Sequence, residues 1–310
     1  MRNILITGAG GFIGARVTVE AARAGGSLTL MSHHRPPRPP AEGRARIVRA
    51  DLADPDSLHG LCDGADVLLH CASLIGGTPE ANEAVNARGT AALVADAQRA
   101  GVSRIVYLST ASVYGRGIFR CARPEQLPRR PQSPTSRTRA EAEDAVLAAG
   151  GIVVRPHLVY GPGDAWVVPG LTRLLRTLPG TPTGWDARLS VISVTELAAL
   201  LVAVGLAPRE RLSSSVYHAA YPEPVTASAL LAAVADRTAP PPARPSISLA
   251  HARALPTENG AATRALDLLA TDHWFDSTPL WTDLDRTPGG GWEQDLTRMK
   301  EWYPDRAAAA

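Results

Sequence analysis

Gly8, Gly11 and Gly14 stand three apart, directly after the apolar run Asn3-Ile4-Leu5-Ile6-Thr7. A strand that ends in such a turn and opens a helix binds the pyrophosphate of a dinucleotide. Gly8 permits the turn, Gly11 lets the backbone approach the anion, and Gly14 lets the helix pack closely on the strand. Phe12 and Ile13 belong to the start of that helix, whose N-terminal N–H groups face the phosphates. After the next apolar run comes Ser32-His33-His34-Arg35, with Arg38 close by and no acidic residue before Glu42. A site for NAD places a carboxylate here for the ribose 2′-hydroxyl, whereas a site for NADP places an arginine near the 2′-phosphate. This basic loop, stiffened by Pro36, Pro37, Pro39 and Pro40, therefore predicts NADP(H). Asp51 is placed to accept from the adenine amine beside Leu52, and the small Ala72 and Ser73 leave room for a ribose.

The elements that must hold these residues alternate. Apolar strands are expected at 3–7, 27–32, 46–50, 66–71, 104–109 and 152–155, with helical segments at 11–24, 55–63, 79–100 and 134–149. Alternation of this kind gives an α/β fold, a Rossmann-like doubly wound parallel sheet covered by helices on both faces. Ligands bind such sheets at the carboxyl ends of the strands, where Asp51, Ala72, Ser73 and Thr110 fall. With 310 residues, 45% of them hydrophobic, the chain can bury one large core or two closely packed ones. The expected division is a dinucleotide-binding domain over 1–164, with a returning segment near 190–220, and a smaller, mainly substrate-binding domain over 165–310. A net charge of +2 implies no broad basic face, so nucleic acid is excluded as a partner. Nothing in the sequence is long and apolar enough to span a bilayer, and residues 1–7 read as a core strand, so a cytoplasmic protein is expected. Cys62, Cys71 and Cys121 lack metal-ligand spacing and are too few for a disulfide framework, so no metal is expected.

Together these residues resemble the extended short-chain dehydrogenase/reductase family. The resemblance rests on the glycine turn, Asp51-Leu52, Asn86-Ala87-Arg88-Gly89-Thr90, Ser109-Thr110-Ala111-Ser112-Val113-Tyr114-Gly115 and Arg155-Pro156-His157-Leu158-Val159-Tyr160-Gly161. It implies a Ser or Thr beside the substrate carbonyl, a Tyr acting as acid or base, and a Lys four residues later that lowers the phenol's pKa and holds the nicotinamide ribose. Thr110 takes the first position, with Ser112 a second hydroxyl able to orient the carbonyl oxygen. At the family's spacing the Tyr position falls on Thr135 and the Lys position on Arg139; the single lysine of the chain is Lys300, in a C-terminal helical stretch. An alkyl hydroxyl is too weak an acid to protonate an alkoxide, and a guanidinium donates hydrogen bonds without exchanging protons. Arg139 can still hold the ribose. The resemblance also puts Pro156 and His157 near the nicotinamide, and an imidazole titrates near neutral pH.

What is missing is the proton. One solution is a substrate that brings its own: a ketone flanked by a phenolic hydroxyl, as in aromatic polyketides, reduced with NADPH. The Thr/Arg variant is similar to atypical ketoreductases of the angucyclinones, which implies a role in antibiotic biosynthesis. All six tryptophans, from Trp166 to Trp302, lie after Gly163, where aromatic surface suits a planar ligand, and Trp166 is the one expected beside it. Rival readings are a nucleotide-sugar epimerase or dehydratase, which needs a base where Thr135 stands, and a non-catalytic NADP-binding regulator.

Overall fold

The computed structural model describes residues 1–41, 43–235, 245–255, 260–298 and 303; Lys300, Trp302 and most of the proline-rich connection at 239–245 lie outside them. In chain order the strands of the first half are β1 (Asn3–Thr7), β2 (Ser27–Ser32), β3 (Arg44–Arg49), β4 (Val67–His70), β5 (Arg104–Leu108), β6 (Phe119–Ala122), β7 (Ile152–Pro156) and β8 (Leu158–Tyr160). The later ones are β9 (Thr181–Pro182), β10 (Arg188–Leu189), β11 (Val191–Ser193), β12 (Val216–Ala219), β13 (Val225–Thr226), β14 (Ser246–Ile247) and β15 (His273–Phe275). Seven of them form one sheet in the order β12-β7-β5-β4-β1-β2-β3, with every neighbouring pair parallel. The order reverses between β1 and β4, and a crevice opens at that point in a doubly wound sheet.

Successive side chains of a strand face opposite sides, so a strand covered on both faces must be apolar throughout. Ile4 and Ile6 pack on one side with Val17 and Ala21 of α1 (Phe12–Arg23), while Leu5 packs on the other with Leu68. Helix α2 (Pro79–Asn82) is short; α3 (Gly89–Arg99) and α4 (Pro134–Ala148) cover the Leu5 face through Leu93, Val94, Ala142 and Val146. After α5 (Val167–Thr177) the chain returns to the Ile4 face as α6 (Val194–Leu206), which buries Leu197 and Leu201 against α1. Each such leucine, fully buried, stabilises the fold by about 1.5–3 kcal/mol. Strand β12 then pairs with β7, Tyr217 opposite Val154. A second sheet, β13-β10-β15-β6, joins distant parts of the chain by pairing His273 with Phe119.

Two expected helical segments differ. Over 55–63 only a 3-10 turn forms, Pro55–Leu58, because the buried carboxylate of Asp96 on α3 accepts from the N–H groups of Gly60 and Cys62, each at 2.9 Å, in place of helical carbonyls. The single helix expected over 79–100 is interrupted by a π-helical stretch, Glu83–Arg88. That widened turn lets the Asn86 amide accept from the N–H of Leu74 at 2.7 Å and donate to its carbonyl at 3.0 Å, pinning the loop that follows β4.

Candidate active site

The cofactor cradle is built by β1, α1 and the loops after β2, β3 and β4. Gly8 has φ +69°, and a Cβ there would stand 2.7 Å from the Ala72 nitrogen, so only glycine closes the turn against β4. A Cβ on Gly14 would lie 2.1 Å from the Gly8 carbonyl oxygen. Gly11 is the N-cap of α1, no side chain caps that end, and its first turn has no acidic residue, which leaves backbone donors and a positive dipole end for an anion. Phe12 and Ile13 form the first turn, with Ile13 packed on the core. A cavity of about 150 Å³ beside them is lined by Gly8, Gly11, Asp51, Leu52, Ala72 and the loop His33–Arg35.

His33, His34 and Arg35 are all exposed. The two imidazoles lie 3.7 Å apart, and Nε2 of His33 sits 3.1 Å from Asp51 Oδ2, while Asp51 Oδ1 accepts from the Ala53 N–H at 2.9 Å. Ser73 donates to Asn86 Oδ1 at 3.2 Å, and the N–H of Ala72 donates to the Thr7 hydroxyl at 3.2 Å. The glycine cradle, the uncapped helix end and the basic loop fit a dinucleotide, with its pyrophosphate at Gly11 and its adenosine toward His33–Arg35.

Thr110 caps the 3-10 turn Ala111–Tyr114; its hydroxyl accepts from the Ser112 N–H at 3.1 Å and donates to Ser112 Oγ at 3.2 Å. Thr135 lies in the first turn of α4, where Ser133 and Ser136 cap the helix reciprocally, and its hydroxyl accepts from the Gly76 N–H at 3.3 Å. One turn on, Arg139 is buried and its Nη2 donates to the Leu108 carbonyl at 2.6 Å. Neither familiar tyrosine replaces the missing acid. Burial pushes the Tyr114 phenol up to about 12 and the Tyr160 phenol higher still. Tyr114 instead belongs to a buried network. Glu143 takes two hydrogen bonds from Arg155, at 2.8 and 2.5 Å, and one from Ser109, while Arg155 donates to the Tyr114 hydroxyl at 2.7 Å and that oxygen meets His218 Nε2 at 2.6 Å.

Pro156 ends β7, buried, and His157 follows it, half-buried. The His157 ring stacks on His273 with centroids 5.5 Å apart, and Nε2 has no hydrogen-bond partner among the described residues. Burial first, then the imidazoles of His273 and His218, push it down to about 3. At neutral pH it is a neutral ring, suited to hydrogen bonding rather than to delivering a proton.

Ser112, Ser136, His157 and His273 line a cavity of about 820 Å³, with Arg116 and Ile118 among its other walls. Trp166 stands at the N-cap of α5, 66% exposed, and lines neither this cavity nor the cofactor cradle. Trp185 and Trp281 are core residues whose indole N–H groups donate to the carbonyls of Ile247 and Ala220. The rings at the large cavity are thus imidazoles, not indoles. His273 had no signal in the sequence, because it is the pairing of β15 with β6 and β10 that brings it to the site.

A family model described as the NAD dependent epimerase/dehydratase family matches residues 4–219. A 2-alkyl-3-oxoalkanoate reductase of Stenotrophomonas maltophilia is 28% identical over 96% of this chain and 98% of its own. A 4-hydroxy-2-methyl-3-oxo-4-farnesyl-3,4-dihydroquinoline-1-oxide ketoreductase of Stigmatella aurantiaca is 30% identical over 56% of this chain and 54% of its own. Among solved structures, the Bordetella bronchiseptica enzyme WbmH, in complex with NAD+, superposes with a TM-score of 0.76 at 19% identity, covering 99% of each chain.

Proposed function

From membership of the NAD dependent epimerase/dehydratase family, to which this chain belongs, we propose that this NAD(P)-dependent oxidoreductase is an NADPH-dependent ketoreductase of an aromatic polyketide, of the angucyclinone class, in antibiotic biosynthesis. The observation that carries the reading is an intact dinucleotide cradle beside an emptied acid/base position: Thr135 and Arg139 stand where the family places its phenol and amine. In this it looks like the angucyclinone ketoreductase of simocyclinone biosynthesis. Relatives named as reductases of a 3-oxoalkanoate and of an oxo-dihydroquinoline support ketone reduction. Oxidation of a sugar alcohol needs a base that Thr135 does not supply.

The dinucleotide, when bound, supplies the hydride. Gly8, Gly11, Phe12, Ile13 and Gly14 hold its pyrophosphate; His33, His34 and Arg35 hold the 2′-phosphate; Asp51, Leu52, Ala72 and Ser73 flank the adenosine; Arg139, Pro156 and His157 flank the nicotinamide end. Residues 1–164, with the returning segment near 190–220, serve as the cofactor domain and also supply most of the large cavity's wall, to which 165–310 add Asp267, Leu268, Thr271 and His273. Thr110 and Ser112 orient the carbonyl oxygen by hydrogen bonds that strengthen as negative charge grows there. The proton comes from the neighbouring phenolic hydroxyl of the substrate, which an internal hydrogen bond already directs at the carbonyl. NADPH oxidation should proceed with a ketone whose adjacent hydroxyl is free and fall by about a hundredfold when it is methylated, the usual scale of general acid catalysis. Equal turnover of the two ketones would remove the substrate's proton from the mechanism. Tight NADPH binding without turnover of either would favour a regulator.

A further inference from the structure

Arg139 is 9% exposed, and His70, Cys71, Tyr107 and the Leu108 carbonyl beside it are uncharged near neutral pH. Its Nη2 donates to the Leu108 carbonyl at 2.6 Å, and its Nε has no hydrogen-bond partner among the described residues. The Tyr107 phenol beside it is pushed up by burial, and the Cys71 thiol is pushed up to about 12 for the same reason. His70 is pushed down to about 3, by burial and then by Arg139 itself. Glu143, one turn along α4, is already held by Arg155 at 2.5 Å and by Arg129 at 3.3 Å, and Arg129 also takes Asp144 at 2.5 Å. The carboxylates of Glu143 and Asp144 are therefore taken by two guanidiniums, Arg155 and Arg129, and among the described residues no ion pair includes the third, Arg139. Thr135 on the preceding turn brings no anion to balance it.

We infer that the uncompensated charge of Arg139 selects the oxidation state of the cofactor: the site retains the reduced nicotinamide, whose ring is neutral, over the oxidised one, whose ring is cationic. This rests on the reading that the nicotinamide end lies at the carboxyl ends of β4 and β5, where Cys71 and Leu108 place the guanidinium. Like charges at close range in a partly buried site repel, and among the described residues no carboxylate is paired with Arg139. The protein would load the reduced form and expel the oxidised form after each turnover.

The test needs no ketone. Calorimetric titration of the full chain with NADPH and with NADP+ should give tighter binding of NADPH by on the order of tenfold, as expected for a charge interaction of this size. Arg139→Gln should bring the two affinities within about twofold, and Arg139→Lys, which keeps the charge, should preserve most of the ratio. Thr135→Asp, one helical turn away, should also compress the ratio with Arg139 intact, and this variant decides the matter if Arg139→Gln does not fold. Equal affinities in the parent chain, or an unchanged ratio in folded Arg139→Gln or Thr135→Asp, would overturn the inference. Binding of neither form would instead overturn the cofactor reading on which it rests.

Discussion

His33, His34 and Arg35 do at residue scale what composition cannot: they put cationic and hydrogen-bonding groups at the rim of the cradle without adding to a broad basic face. Asp51 accepts from the Ala53 N–H and lies 3.1 Å from His33 Nε2, so both oxygens of its carboxylate are already engaged within the protein. Arg35→Glu should weaken NADPH binding by about tenfold or more, because a carboxylate replaces a phosphate partner, and should change NADH binding far less; parallel titrations of the two cofactors measure this. The identities of Thr135 and Arg139 were legible in the sequence, since the motifs on either side fix the count. The neutrality of everything around Arg139 was not. That neutrality depends on Cys71, just after β4, on Tyr107 and Leu108 of β5, and on Glu143 being claimed by Arg155.

Among the elements, α4 buries two charged side chains, Arg139 and Glu143. Its inner face presents Arg139 and Glu143, while β7 supplies Arg155 to the same carboxylate, so helix and strand are joined through a buried ion pair. Such a pair adds little over apolar packing, but breaking it strands a charge in the core. Arg155→Met should therefore cost about 3–5 kcal/mol of stability, read from the urea midpoint and slope, whereas removing both partners as Glu143→Leu/Arg155→Met should recover much of the loss. Element type was legible from periodicity, as β1, β5 and α4 illustrate. The interruption at Glu83–Arg88 was not, because its cause is the bond between Asn86 and the Leu74 loop, a contact made only after β4 and α4 are in place.

Across the whole molecule, several histidines are held neutral. Burial first pushes His70 and His218 each down to about 3. Their folded values lie below the unfolded value near 6.5, so the native state binds fewer protons once the pH falls below that value. Stability is unaffected by these rings above about pH 6.5 and declines as the pH drops from there toward 3, by up to about 1.4 kcal/mol per pH unit for each ring. Urea unfolding at pH 7 and pH 5 should differ by about 2 kcal/mol per ring, and His218→Asn should shrink that difference. The parallel sheet was legible in the alternation of strands and helices. The assembly of the large cavity was not, since Ser112 and His273 meet there through the pairing of β15 with β6 and β10.

The return of the chain as β12 to pair with β7 also constrains how this architecture can be re-engineered. A protein cut after residue 164 would leave β7 with an open edge, a template for pairing with other chains. A new specificity half cannot simply be appended at that point. It must be spliced in as insertions that hand the chain back at α6 and β12, where it packs on α1 and pairs with β7.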